Sequence, residues 1–187
     1  MFTDDQKRAL LDIARDAMTA QVRGGALEPR RGAEAVQTAV RDVPQASGAF
    51  VTLKWRGELR GCLGTLECRR PLAEEVARLA QSSAHEDPRF EPVRPSELPD
   101  IRVEVSVLGP LEPIDPSDPA AIVVGRHGLV VEQGWRRGLL LPQVATEWGW
   151  DRETFLSHTC AKAGLPRDSW KQGAKVYRFA ADVFGDG

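Results

Sequence analysis

The amino-acid sequence predicts an α+β protein: a mostly antiparallel curved sheet built from two β-β-α-β units, with helices packed on it and an N-terminal helix. Two observations carry this expectation. "IRVEVSVL" (101–108) sets Ile101, Val103, Val105 and Val107 in strict alternation against Arg102, Glu104 and Ser106, the period of a half-buried strand. Hairpin signals also occur twice, each followed by a helical stretch and another strand. Tight hairpins join antiparallel strands, so they argue against a parallel α/β sheet.

Thr3 and Gln6 form a capping box ahead of Leu10, Ile13, Ala14, Ala17 and Met18, which recur at helical spacing and predict a helix over 4–22. Gly24-Gly25 ends it, and a short helix over about 32–41 is stopped by Pro44. "GAFVTLKW" (48–55) and "ELRGCLGTL" (58–66) read as strands around an Arg56-Gly57 turn. Pro71 suits the first position of a helix that carries Leu72, Val76, Leu79 and Ala80 to about residue 84. A proline-studded connection (85–100) leads to the 101–108 strand, and "GPLEPIDPSDP" (109–119) marks the best break between halves. The order then repeats, with strands at 128–133 and 139–144 around "GWRRG". A helix at 151–163 has Asp151 as its N-cap, Phe155, Leu156, Thr159 and Cys160 inward, and Gly164 at its end. "AKVYRFAADVF" (174–184) is the last strand.

With 187 residues the chain is expected to form one domain, over 5–184, with a sub-lobe break near 109–119. Net charge is −2, split as +3 over 1–70 and −5 over 71–187, so bulk charge gives no argument for nucleic acid or an anionic membrane. No apolar run is long enough to span a bilayer, and the N-terminus lacks the basic start and apolar block of a signal peptide. Three cysteines, an odd number, suit a reducing cytoplasm and match no common zinc spacing. The expectation is a cytoplasmic protein with no cofactor and no bound metal. The sequence has no P-loop, dinucleotide fingerprint, zincin or hydrolase-elbow motif.

"GAFVTL", "LRGCLGT", "DPRF", "SVLGPLEPI", "GRHGLVV", "GLLLPQVATEWGWD" and "CAKAGLP" follow one another in this chain. In that order they resemble the AMMECR domain family over roughly residues 5–184, with "LRGCLGT" as its signature. The tail resembles the bacterial and archaeal branch, the AmmeMemoRadiSam system protein A type. The resemblance implies an α+β fold with a duplicated β-α unit, and partners of the Memo-like and radical-SAM classes. It implies no particular reaction.

Candidate chemistry centres on "LRGCLGT". The strand period of two puts Leu59, Gly61 and Leu63 toward the core and Arg60, Cys62 and Gly64 on the opposite face. If the neighbouring strands pair, Thr52, Glu104 and Ser106 join that face; a bulge at either glycine would shift the parity and bring in Thr65. Gly61 and Gly64 would clear bulk around the sulfur, and a cation at Arg60 would favour the thiolate and bind a carboxylate or phosphate. The bland alternative is a bent strand whose cysteine fills space. Asp87 and Arg89 of "DPRF" project from a turn, either to bind and orient an anion or to form a local ion pair. His127, the side chain that titrates nearest neutrality, is a candidate general base, which the family pattern "HGL" strengthens. Cys62, Arg60, Glu104 and His127 are therefore the catalytic candidates, and Thr52, Gly61, Gly64, Thr65, Asp87, Arg89 and Ser106 the ligand-binding ones. Gln143 and Glu147 sit at a helix entry after Pro142, where solvation and packing of Trp148 and Trp150 outweigh an anion site. Two functions compete: a small enzyme or ligand-binding component acting on an anionic small molecule through the Arg60/Cys62 face, and a non-catalytic adaptor for a protein partner. An RNA-related role is the weakest reading.

Overall fold

The computed structural model describes residues 2–25, 38–41 and 46–187. The chain forms two compact units, one of residues 1–108 with 182–187, the other of residues 109–181.

In the first unit, helix α1 (Asp4–Arg23) starts at the Thr3–Gln6 capping box and ends at Gly24 in the left-handed conformation. Leu10, Ala14, Ala17 and Met18 are fully buried, as their spacing requires, while Ile13 is partly buried. Of the helix expected near 32–41, only 38–41 lies within the described residues, and it is helical. Strands β1 (Gly48–Trp55) and β2 (Glu58–Thr65) form the first hairpin, helix α2 (Leu72–His85) follows, and β3 (Ile101–Leu108) pairs antiparallel with β1. Pro71 is the N-cap of α2 rather than its first residue. A 3-10 turn, Pro95–Asp100, occupies the connection before β3 that the sequence left irregular. Val51, Leu53, Val103 and Val105 pack against Leu10, Met18, Val76 and Leu79 in one core. At about 25 cal/mol per Å² of apolar area, this burial is the main stabilising term.

In the second unit, the short strand β4 (Glu112–Ile114) and strand β5 (His127–Gln133) both pair with β7 (Lys175–Gly185), and β6 (Arg136–Leu140) pairs with β5. The final residues of β7 belong to the first unit, where the Asp186 backbone amide bonds the Val103 carbonyl. Helices α3 (Pro142–Glu147) and α4 (Arg152–Lys162) lie between β6 and β7. Phe155, Leu156, Thr159 and Cys160 are fully buried, as the spacing predicts. The second hairpin differs from its expected bounds. Its turn is only Gly134-Trp135, so β6 begins at Arg136, and Pro142 opens a helix because it has no amide to donate to a ladder. The β-β-α-β order thus occurs twice, and the fold is α+β with antiparallel strand pairs and an N-terminal helix.

Candidate functional site

The β1 register assembles one row of polar side chains. Thr52 lies opposite Cys62 on β2 and opposite Glu104 on β3. Directly opposed residues of antiparallel strands share a face, so Cys62, Thr52 and Glu104 stand side by side. The Thr52 hydroxyl donates to Cys62 Sγ at 3.3 Å, and Lys54 Nζ donates to Glu104 Oε2 at 3.1 Å.

The next row, Gly64–Phe50–Ser106, is packing rather than chemistry. A Cβ on Gly64 would lie 2.1 Å from the Phe50 ring, so the glycine makes room for that ring. Ser106 is fully buried, although strand alternation placed it outward. Gly61 answers the other half of the motif. A Cβ there would lie 2.2 Å from the Ser83 carbonyl oxygen, so what approaches closely is the backbone of α2. That approach lets the Ser83 hydroxyl bridge the two strands: it donates to the Val51 carbonyl at 2.8 Å and accepts from the Leu63 amide at 2.9 Å.

Arg60 corrects the sequence reading. Pairing passes from Leu53–Gly61 to Lys54–Leu59, which leaves Arg60 as the extra residue of a β-bulge. The shift exposes Leu59, expected in the core, to 43%. The Arg60 guanidinium closes on Glu97 through Nε and Nη2, at 2.8 and 3.0 Å, and donates to the carbonyls of Glu91 and Pro92. It fastens the 91–97 segment. The cation that acts on Cys62 is Arg89.

Asp87 and Arg89 clamp the outer edge of β2. Asp87 is buried and accepts the Cys62 amide at 2.9 Å, while Arg89 donates to the Cys62 carbonyl at 3.2 Å. The two side chains also form a paired ion contact, Nε to Oδ1 at 3.0 Å and Nη2 to Oδ2 at 2.7 Å. This contact, with the two backbone amides, holds the Asp87 carboxyl down at about 2. Arg89 remains 54% exposed; its guanidinium lies 5.4 Å from the centre of the Phe90 ring, and its Nη1 makes no hydrogen bond among the described residues. Burial pushes the Cys62 thiol above its ordinary value, against the opposing pull of the Thr52 bond and of Arg89. Burial of the half-buried Cys62 thus opposes the thiolate that the sequence reading expected there.

Thr65 stands apart from the row. Its hydroxyl is tied to the backbone of Glu67, and it lines a separate recess of about 410 Å³ with Glu67, Arg69, Arg70, Glu75 and Arg78. His127 belongs to the second unit; its Nδ1 accepts the Val123 amide at 3.0 Å. Burial, then Arg178 and Arg126, lowers its pKa.

The sequence reading passed over Lys54, Ser83, Glu75 and Glu97. Two of these had a visible signal. Ser83 and Glu75 sit on the buried stripe of α2 with Leu72, Val76, Leu79 and Ala80, and a polar residue on such a stripe needs a partner. Glu75 finds Arg78, whose Nε and Nη2 reach Oε2 at 3.0 and 2.8 Å.

An α+β chain whose edge strand is clamped by an aspartate–arginine pair, with a threonine-bonded cysteine behind it, can be compared with known proteins. The AMMECR1 family matches residues 11–184, and the chain belongs to that family. A protein of Methanothermobacter thermautotrophicus is 50% identical over 185 residues, covering 96% of this chain and 94% of the relative. One from Thermococcus gammatolerans is 47% identical, covering 97% and 90%. The crystal structure of an uncharacterised protein from Pyrococcus horikoshii superposes with a TM-score of 0.84 at 42% identity, covering 98% of this chain and 93% of that one.

Proposed function

We propose that the chain is a ligand-binding component for a small anionic molecule, received at the Cys62–Thr52–Glu104 face beside Arg89. The observation that carries this is the half-exposed Arg89, fixed by Asp87 through Nε and Nη2, whose Nη1 makes no hydrogen bond among the described residues. An arginine held rigid by a second group recognises a carboxylate or phosphate with less loss of side-chain freedom. Cys62 acts as a neutral thiol that shapes the site and offers a weak donor, while Lys54 and Glu104 set its charge. This revises the sequence expectation in one respect: the anion partner is Arg89, since Arg60 is consumed by Glu97. Family resemblance supplies the companion reading that the ligand is handled with Memo-like and radical-SAM partners in the cytoplasm.

The test is a thermal-shift screen of the purified protein against small carboxylates and phosphates, repeated on Arg89→Gln. Hits that raise the melting temperature, slow alkylation of Cys62 and vanish in Arg89→Gln support the reading. Turnover of a hit would make the protein an enzyme. Hits that appear only with a partner protein would replace the reading with the adaptor alternative, and hits indifferent to Arg89 would remove it.

A further inference from the structure

The tip of the second hairpin carries a feature unrelated to the Cys62 face. Trp135 follows Gly134, whose φ of +60° makes the turn, and the indole is 88% exposed. A tryptophan is the costliest side chain to leave in water, and most find cover. Here it borders a recess of about 510 Å³ lined also by Arg136, Arg137, Lys162, Ala163 and Gly164. Three cations and no carboxylate line this recess.

The lining is built rather than loose. A Cβ on Gly138 would lie 2.3 Å from the Ala163 nitrogen, so β6 admits the end of α4 in direct backbone contact. Arg136 donates to the Gly164 carbonyl, and its guanidinium lies 5.2 Å from the centre of the Trp135 ring. Arg137 shares Glu132 at 3.5 Å, and Glu132 also accepts from the Tyr177 hydroxyl. Lys162 is exposed, and among the described residues it has no carboxylate partner.

We propose that this recess binds a nucleotide, either free or as part of a single strand, with the base stacked on Trp135 and the phosphate held by Arg137 and Lys162. An exposed flat π surface flanked by cations matches a planar ring joined to an anion. A bare anion has no use for the indole, and the carboxylates of Asp and Glu bring no ring to place on it. The chain's net charge of −2 does not oppose this, because at physiological salt charges beyond about 8 Å are screened, and within that range Arg136, Lys162 and Arg137, the last shared with Glu132, leave the recess net positive.

The test titrates the full-length protein with AMP and, separately, with a short single-stranded oligothymidylate, read by calorimetry and tryptophan quenching. Binding of either is expected, with Trp135→Ala weakening it at least about fivefold. Trp135→Phe should retain part of the affinity, and Lys162→Gln should flatten the salt dependence. Both side chains are exposed, so the variants should melt with the parent protein. AMP binding identifies the free nucleotide as the source, and binding of the oligonucleotide alone identifies the strand. The proposal is overturned if neither binds, if Trp135→Ala binds as well as the parent, or if inorganic phosphate binds as tightly as AMP.

Discussion

The backbone amide of Cys62 donates to Asp87 Oδ2 at 2.9 Å, so the "DPRF" turn holds the signature strand by its free edge. Edge strands carry amides without ladder partners. Here a buried carboxylate supplies the partner, and Arg89 supplies the neutralising charge.

Asp87→Ala should destabilise the first unit by about 2 kcal/mol, because it strands the Cys62 amide and leaves Arg89 without its counter-ion. The loss should depend on pH. The folded carboxyl is held at about 2, below its ordinary 3.8, so its contribution is complete above about pH 4 and is lost as pH falls through 2. Arg89 is 54% exposed, and solvent screening reduces the pH-dependent part to about 1 kcal/mol. Urea denaturation of the parent and of Asp87→Asn between pH 2 and 7 checks this. A gap between the two that stays constant across that range contradicts it.

Cys62 should be alkylated before Cys160 in the folded protein, since Cys62 is partly exposed and Cys160 fully buried. Its rate should keep rising above pH 9, because burial raises the thiol above its ordinary 9.0. Arg89→Gln should slow the reaction severalfold at pH 8 by removing a cation that favours the thiolate, whereas Arg60→Ala should leave the rate little changed. Peptide mapping of the modified sites distinguishes these outcomes from reaction at Cys68.

The two signature glycines should not be equivalent. Gly61→Ala drives a methyl into the Ser83 carbonyl of α2, a backbone atom that cannot turn aside, and should cost about 3 kcal/mol or prevent folding. Gly64→Ala meets the side chain of Phe50, which can swing away, and should cost about 1–2 kcal/mol. Equal losses in the two melting curves would refute this account.

Arg60 and Glu97 should behave as one structural element. Each side chain is only 14% exposed, so removing either leaves a poorly solvated charge and should cost about 2–3 kcal/mol. The double substitution should cost clearly less than the two singles added together, and a double-mutant cycle measures the difference. Additive losses would show that the pair is not coupled.

Much of this was determined by the sequence alone. The alternation of Ile101 through Val107 sets a strand with one apolar face, and the spacing of Leu10, Ala14, Ala17 and Met18 sets a helix, because burial of period-matched residues follows from local geometry. The pairing of Thr52 with Cys62 and Glu104 also followed once the hairpin and β3 were adjacent. Only the tertiary structure decided what Arg60 does. A single extra residue in β2 displaced it from strand alternation and exposed Leu59, and bulges depend on the partner strand rather than on local composition. Contacts between distant segments likewise decided that the space at Gly61 belongs to α2 and that the cation acting on Cys62 is Arg89, 27 residues away in the chain. Such long-range contacts leave no period in the sequence. They arise when a fold brings a buried donor to the one acceptor within reach.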